Sequence, residues 1–300
     1  MQNKINIDDI KINFDTEGLW VLNIAIAIIM FGVALGITID DFKLLLKNPK
    51  TLFVGVLSQF ILLPSFTFLA ILIIEPHPSF ALGMMMIAAC PGGNVSNFFS
   101  KMAGGNAALS VSLTAFATLI CIFMTPLNLQ FWGSLYEPTN EILKTVSLNP
   151  FDLFKLVSLI LGIPLIIGML IKHYHTEMAI KIEKLLKPIS MTVFIVLIFV
   201  AFSQNLEVFV NHIHNVLFLV IFHNIFAFIL GYFTAKSFGL NKQDCKTISM
   251  ETGIQNGGLG LLLIFGFFDG GMALLAAFWG IWDVFSGMAL ATFWGRKTKS

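Results

Sequence analysis

Long apolar stretches recur along almost the whole chain and are separated by short polar connections. Each stretch is about 20 residues long, the length that an α-helix needs to cross the hydrocarbon core of a bilayer. The apolar positions are continuous and do not alternate with a period of two, so they are typical of helices and not of membrane strands. The pattern predicts an all-α polytopic membrane protein with nine transmembrane helices, at residues 18–39, 51–74, 80–100, 107–128, 151–171, 188–205, 215–235, 247–267 and 271–294.

Composition narrows the class of protein further. Hydrophobic residues make up 57% of the chain and charged residues 12%, and the mean hydropathy is +0.86. Little sequence remains outside the apolar stretches from which an aqueous domain could be built, and this excludes a soluble enzyme. The net charge of +1 carries little information, because in membrane proteins the placement of lysine and arginine matters more than their sum. The lipid bilayer is the expected surrounding, and nucleic acid is not an expected partner.

Lysine and arginine residues are distributed unevenly between the two sets of connections. Fourteen of the 18 follow the first, third, fifth, seventh or ninth predicted helix, and four lie on the other side. In membrane proteins the cytoplasmic loops carry the excess of positive charge. The sequence therefore predicts a protein of the cell (inner) membrane with an external N-terminal tail at residues 1–17 and a cytoplasmic C-terminal tail at residues 295–300.

Two of the predicted helices contain polar, glycine-rich interruptions. The third includes CPGGNVSN at residues 90–97, and the eighth includes ETGIQNGG at residues 251–258. Proline lacks an N–H donor and glycine weakens a helix, so both helices are expected to be broken at these points. The main-chain groups freed by each break then need partners in the protein, in water or in a bound ion.

The spacing around the two interruptions indicates an internal duplication. Gly92 lies 33 residues after Gln59, and Gly257 lies 33 residues after Asn224. The two interrupted helices run in opposite predicted directions, so the halves are expected to be inverted repeats, a transporter arrangement with its site at the repeat interface. The first half would comprise four helices in residues 18–128 and the second five in residues 151–294, joined by an external connection at 129–150.

Glu251 is the most conspicuous of the few acidic residues inside the predicted helices, because no lysine or arginine lies near it in sequence. A carboxylate in hydrocarbon costs several kcal/mol unless it is protonated, paired or bound to a cation, so it marks a functional site. A protonated or hydrogen-bonded structural glutamate is the alternative. The position of Glu251 in a helix break favours a functional role over a structural one.

Oxygen-bearing side chains accompany the first interruption. Ser96 and Asn97 lie within it, and Ser110 and Thr114 share one face of the next helix because they are four residues apart. Hydroxyl, amide and carboxylate oxygens suit sodium, and no cluster of cysteine and histidine offers a transition-metal site. The pair on the helix alone would indicate helix packing, but together with the break it favours an ion site.

Other buried polar residues leave their roles open. Gln59 could ligate an ion or only bridge two helices, whereas His223 is expected to make an interhelical hydrogen bond. Asp283 is a second acid within the membrane region and a candidate substrate or proton contact. No arrangement of catalytic residues is recognisable, so the protein is not predicted to be an enzyme.

Several motifs together resemble the bile acid:sodium symporter family, and they are spread over nearly the whole membrane region. These motifs are Ile29-Met30-Phe31-Gly32, Gln59-Phe60 with Pro64, Cys90-Pro91-Gly92-Gly93 through Ser96-Asn97, Gly105-Asn106, Ala108-Leu109-Ser110-Val111 and Glu251-Thr252-Gly253-Ile254-Gln255-Asn256. The resemblance implies a core domain and a panel domain, with two discontinuous helices that cross at mid-membrane. Bacterial members of this family usually have ten spans, whereas nine are predicted here. The resemblance therefore implies that the first span of the family is the missing one.

The resemblance also implies two sodium sites and no organic cofactor. The first site would be formed by Ser96, Asn97, Ser110, Thr114 and Glu251. The second would be formed by Gln59, Glu251, Gln255 and the backbone near Thr252 and Ile254. Substrate would lie against Asn94, Val95 and Asn256, with Asp283 as a further substrate contact suggested by its place in the last helix.

The expected function is therefore sodium-coupled symport of a small organic anion, either a bile-acid-like solute or a small carboxylate, by alternating access with two sodium ions. Asn94 and the Asp283-Val284 pair depart from the residues that relatives often carry, which leaves the substrate open. The alternative is a proton-coupled carrier or exporter on the same scaffold, with Glu251 or Asp283 titrating. A channel or an intramembrane enzyme is disfavoured because paired helix breaks suit alternating access.

Overall fold

The computed structural model describes residues 24, 27–145, 150–204, 206–267 and 270–299. These residues are almost entirely helical, and they contain no β-strand. The predicted external tail at residues 1–17, the beginning of the first predicted span at 18–23 and the last residue of the predicted cytoplasmic tail lie outside the described residues.

Thirteen helices are described, and α3 and α8 each contain one π turn, at Ser58–Leu62 and Ser158–Gly162. In chain order they are α1 (27–34), α2 (Ile39–Lys47), α3 (Pro49–Ile74), α4 (Pro78–Ala89), α5 (Val95–Met102), α6 (Ala107–Ser134), α7 (Glu137–Thr145), α8 (150–174), α9 (Thr176–Gln204), α10 (Leu206–Ser237), α11 (Lys242–Gly253), α12 (Gly257–Phe267) and α13 (Gly270–Lys299).

Four described segments are long and apolar enough to cross a membrane, judged by length and composition: Pro49–Ile74, Ala107–Ser134, Val216–Ser237 and Gly271–Arg296. Shorter apolar helices are formed by α4 and by Ile163–Tyr174 within α8. This is the architecture of a polytopic membrane protein, while the predicted number of nine spans stays a prediction.

Helix boundaries differ from the predicted ones where polar residues turn out to lie inside helices. The predicted connection at 129–150 is partly helical, because α6 continues to Ser134 and α7 follows it. Asn128, at the predicted end of α6, is buried and accepts a hydrogen bond from Trp132 Nε1, so its polarity does not end the helix. Helix α9 begins at Thr176, before the predicted residue 188, so the lysine- and glutamate-rich segment that precedes the apolar stretch is also helical.

Helix α4 lies at the centre of the protein. Every residue from Ser79 to Ala89 is buried, which fits a helix that is apolar on all sides. The largest apolar cluster joins this helix to α12 and α13 through residues such as Met86, Leu263 and Trp279. The end of α4, where the chain enters the first interruption, is therefore held in the protein interior and away from lipid.

The π turn in α3 is explained by Pro64. This residue has no N–H to donate to the carbonyl of Phe60, four residues earlier, and the helix widens by one residue at that point. Asn128 Nδ2 on α6 donates to the freed Phe60 oxygen at 3.1 Å. The widened turn places two consecutive side chains, Ser58 and Gln59, in the buried interior.

Replacement of Asn128 with alanine is expected to destabilise the protein by about 1–3 kcal/mol, because it removes the side-chain donor to the buried Phe60 carbonyl. The effect should shrink in a Pro64→Ala background, since the restored N–H can donate to the same oxygen. Thermal unfolding of the four proteins of this double-mutant cycle in detergent measures the coupling. The control is Asn140→Ala, because Asn140 is only half-buried and its amide makes a solvent-exposed hydrogen bond to Glu137. Equal losses in both backgrounds would contradict the role assigned to Asn128.

Candidate functional site

The two interruptions predicted from the sequence meet each other through main-chain hydrogen bonds. Residues 90–94 separate α4 from α5, and residues 254–256 separate α11 from α12. Gly92 and Gln255 form an isolated antiparallel bridge, in which Gly93 N donates to Ile254 O at 2.9 Å and Asn256 N donates to Pro91 O at 2.8 Å. Each break thus satisfies main-chain groups that the other leaves unpaired.

Glycine is required where the two breaks touch. A Cβ atom on Gly92 would lie 2.9 Å from Glu251 Oε2 and 3.0 Å from the Glu251 carbonyl oxygen. On Gly93 it would lie 2.8 Å from the Gln255 carbonyl oxygen. The absence of side chains at these two positions is therefore what lets the interrupted helices approach closely enough to bond.

Glu251 lies near the C-terminal end of α11, with 2% of its surface exposed. Ser96 Oγ on α5 and Ser110 Oγ on α6 each donate to Glu251 Oε1 at 2.5 Å. Thr114 Oγ1, one turn beyond Ser110, donates to Oε2 at 2.8 Å. Side chains from three helices thus converge on one buried carboxylate.

Asn97 completes this group of oxygens. Its Oδ1 lies 3.1 Å from Thr114 Oγ1, whose single proton can serve either Asn97 or Glu251. The structure therefore brings together all five side chains that the sequence suggested for the first sodium site. In the part of the chain that the structure describes, no lysine, arginine or histidine pairs with Glu251.

The residues of the suggested second site surround the backbone of the same break. Gln59 Nε2 donates to the Glu251 carbonyl oxygen at 3.5 Å, and Gln255 Nε2 donates to the Thr252 carbonyl oxygen at 2.7 Å. The Oε1 atom of Gln255 is buried, and no hydrogen-bond partner for it is found among the described residues. The Ile254 carbonyl belongs to the main-chain contact with Gly93.

Ser58 is a member of this region that sequence reasoning missed. Its Oγ lies 2.9 Å from Thr252 Oγ1, and both side chains are buried. In a regular α-helix, neighbours such as residues 58 and 59 point about 100° apart, which gave no reason to pair them. The proline two turns later, which causes the π turn, was the available signal.

The suggested substrate residues occupy different surroundings. Asn94 and Val95 are exposed, and Asn94 stands at the N-cap of α5 without a capping hydrogen bond. Asn256 is half-buried and accepts a hydrogen bond from Leu259 N at 3.0 Å. Asp283, in contrast, is buried beside the second break, where it contacts Asn224 and the backbone of Gln255.

His223 does not join these groups. Its Nε2 lies 2.7 Å from Thr67 Oγ1 on α3, which is the interhelical hydrogen bond expected from the sequence. Its ring also packs edge-on against Trp279, with 4.8 Å between the ring centroids. The residue therefore ties α10 to α3 and α13.

The oxygen atoms around Glu251 are suitable ligands for a hard monovalent cation. Hydroxyl, amide and carboxylate oxygens are present together, and the described residues include no group of three His, Cys, Asp or Glu side chains that could hold a metal ion. A single buried carboxylate in a polar break also provides the charge that would offset one bound cation. A polytopic helical membrane protein with two interrupted helices and a buried acid between them has the features of an ion-coupled transporter.

Comparison with known proteins identifies the family. The Sodium Bile acid symporter family matches residues 23–212, and the chain belongs to this family. It is 30% identical over 278 residues to the Bacillus subtilis (strain 168) protein named "Uncharacterized sodium-dependent transporter YocS", which covers 93% of this chain and 84% of the relative.

Two further relatives come from eukaryotes. The chain is 30% identical over 249 residues to the "Probable sodium/metabolite cotransporter BASS1, chloroplastic" of Oryza sativa subsp. japonica, covering 82% of this chain and 59% of that protein. It is 31% identical over 244 residues to the "Ileal sodium/bile acid cotransporter" of Homo sapiens, covering 79% and 66%. The chain thus spans most of the bacterial relative but two thirds or less of these two.

Proposed function

We propose that this protein is a sodium-coupled symporter of a small organic anion. The observation that carries the proposal is the Glu251 carboxylate, which is buried between two interrupted helices, receives three hydroxyl groups and has no cationic partner among the described residues. The names of all three relatives refer to sodium, which supports a sodium ion as the coupling cation. Membership in a transporter family also disfavours an enzyme.

The proposed first sodium site consists of the oxygens of Ser96, Asn97, Ser110, Thr114 and Glu251. Each hydroxyl that donates to Glu251 has lone pairs with which it can instead ligate a cation. A sodium ion there would turn the hydroxyls from donors to the acid into ligands of the ion. Because these residues lie on α5, α6 and α11, binding would hold both interrupted helices in one arrangement.

The proposed second site uses the Gln59 and Gln255 side chains, Glu251 and the main-chain carbonyls of Thr252 and Ile254. Unwound carbonyls and side-chain oxygens at a helix break are the ligands that sodium-coupled transporters use. The Gln255 Oε1 atom most favours a ligand here, because it is buried without a donor among the described residues and such an acceptor is costly.

The proposed substrate surface comprises Asn94, Val95 and Asn256, next to the starts of α5 and α12. Helix N-termini carry partial positive charge and main-chain N–H donors, so they can bind an anionic group without a lysine or arginine. Val95 is 44% exposed and offers an apolar contact beside them. A carboxylate attached to an apolar body fits this surface, either a bile-acid-like solute or a smaller organic acid.

The energetics are sufficient for accumulation. Two sodium ions and one monoanion move one net charge, which contributes about 2.3 kcal/mol at 100 mV. A tenfold sodium gradient adds about 1.4 kcal/mol for each ion, so the total is about 5 kcal/mol, or several thousandfold accumulation. We expect the cell membrane as the location, with the N-terminus outside and the C-terminus in the cytoplasm.

Ser110→Ala is expected to raise the sodium concentration for half-maximal uptake by roughly 10-fold, because it removes one oxygen ligand from the first site. This effect is measured with proteoliposomes that contain no sodium inside. They are offered a radiolabelled taurine-conjugated bile acid or a series of short monocarboxylates. Ser112→Ala is the matched control, since Ser112 is buried on the same helix and its hydroxyl has no partner among the described residues. Sodium-independent uptake by the unmodified protein would overturn the proposal.

A proton-coupled carrier is a second candidate, favoured by the presence of a second buried acid, Asp283. The same proteoliposomes distinguish the two mechanisms. Uptake driven by a pH gradient with choline in place of sodium would establish proton coupling.

A further inference from the structure

Asp283 is a second buried acid that the sequence suggested as a substrate contact and that the proposed sodium sites do not use. It lies in the middle of α13, and 4% of its surface is exposed. As with Glu251, no lysine, arginine or histidine pairs with it in the described ranges of the chain. A buried acid without a cation is costly unless its oxygens are well bonded or a cation binds nearby.

Both oxygens of Asp283 accept hydrogen bonds from N–H donors. Asn224 Nδ2 on α10 donates to Oδ1 at 3.0 Å, and the main-chain N of Gln255 donates to Oδ2 at 3.1 Å. A protonated acid would use one oxygen as an O–H donor and would need an acceptor there. Two N–H donors, one on each oxygen, form bonds that a carboxylate can accept.

The second of these bonds acts on the peptide unit between Ile254 and Gln255. The N–H of this unit points to Asp283, and its carbonyl accepts from Gly93 N at 2.9 Å. The N–H and C=O of a trans peptide point in opposite directions. Asp283 therefore holds the unit on one side while the first interrupted helix holds it on the other.

Asn224 extends the same support to the end of α11. Its Nδ2 donates to Asp283 Oδ1 and also to the Gly253 carbonyl oxygen at 2.8 Å. Asn224 is completely buried, so these bonds do not compete with water. The Asp283–Asn224 pair thus fixes the main chain of residues 253–255.

We infer that Asp283 is a positioning residue for the second sodium site, and that it supplies the second negative charge of the cation-binding region. The inference rests on the proposed function, because Thr252, Ile254 and Gln255 provide three of the proposed ligands of that site. Asp283 orients the Ile254 carbonyl and the start of the Gln255 side chain. With Glu251, it gives two carboxylates for two sodium ions, so that the region is neutral when both ions are bound.

Asp283→Asn is expected to weaken the second sodium site while the first remains. The asparagine side chain has nearly the size of aspartate but carries no charge. Its amide N–H groups would face N–H donors that now bond to the carboxylate, such as Asn224 Nδ2. Loss of a residue that orients ligands costs about 10- to 100-fold in metal affinity. The test is the apparent Tm of the purified protein in detergent as sodium chloride replaces choline chloride at constant ionic strength.

The number of bound ions sets the slope of stability against the logarithm of sodium concentration. The unmodified protein should show the slope for two ions, and Asp283→Asn about half of that slope over the same range. Ser286→Ala, one turn along α13, is the control and should keep the full slope. Asn224→Ala gives a second test if Asp283→Asn does not fold, and it should also lose slope.

The outcomes separate this inference from the proposed function. A full two-ion slope in both Asp283→Asn and Asn224→Ala would overturn the positioning role. A variant that keeps its sodium response but loses affinity for a transported anion at saturating sodium would make Asp283 a substrate contact and also overturn it. No response to sodium in the unmodified protein would contradict the proposed function itself.

Discussion

Replacement of Glu251 with glutamine is expected to abolish sodium-driven uptake. Glutamine has nearly the same shape, but it removes the charge that offsets a bound cation and places an N–H₂ group among the hydroxyls of Ser96, Ser110 and Thr114. Removing one partner of a buried charge pair costs about 3–5 kcal/mol, which corresponds to at least about a hundredfold loss of ion affinity. This loss of sodium affinity is measured from the initial rates of uptake into proteoliposomes at increasing sodium concentrations.

The matched control is Glu141→Gln, because Glu141 is exposed on α7. This variant undergoes the same chemical change and should transport at the unmodified rate. Sodium-dependent uptake by Glu251→Gln at normal sodium affinity would show that the coupling ion binds elsewhere. Apparent Tm values of both variants separate a lost site from a lost fold.

Replacement of Gly93 with alanine is expected to abolish transport by separating the two breaks. The new Cβ would lie 2.8 Å from the Gln255 carbonyl oxygen and 3.3 Å from its carbon, and neither main-chain atom can rotate away. Inserting an extra carbon into a well-packed interior costs about 1–3 kcal/mol. The bond from Gly93 N to Ile254 O should also be lost, so both uptake and apparent Tm should fall.

Gly162→Ala provides the comparison for this variant. Among the described residues, a Cβ at Gly162, in the π turn of α8, would have one near neighbour, Ile122 Cδ1 at 3.4 Å, and that side chain can move. Its effect on stability and uptake should be small. If Gly93→Ala also transports normally, close main-chain contact between the breaks is not needed for function.

The main features of the site could be predicted because their polar residues lie inside otherwise apolar segments. A polar, glycine-rich run inside an apolar segment has few explanations in a bilayer, and this conflict located both breaks and Glu251. The spacing of Ser110 and Thr114 placed them on one helix face, where the structure has them. Resemblance to the family then suggested which oxygens share a site.

Other features could not be predicted because they depend on contacts between distant segments. Asn128 looked like a helix end, yet Phe60 O and Trp132 Nε1 engage both ends of its amide within the protein. Ser58 reaches Thr252 only because a π turn shifts its direction. Asp283 was predicted as a substrate contact, and no sequence pattern revealed its bonds to Asn224 and Gln255 N.

The junction of the two breaks is made by main-chain atoms, whereas the neighbouring side chains of Asn94, Val95 and Asn256 take no part in those bonds. Exchange of Asn94 or Val95 therefore leaves these main-chain bonds intact, whereas Asn256 also accepts a hydrogen bond from Leu259 N near the start of α12. If these residues contact the substrate as proposed, a lineage can change its cargo without rebuilding the main-chain junction that joins the two interrupted helices.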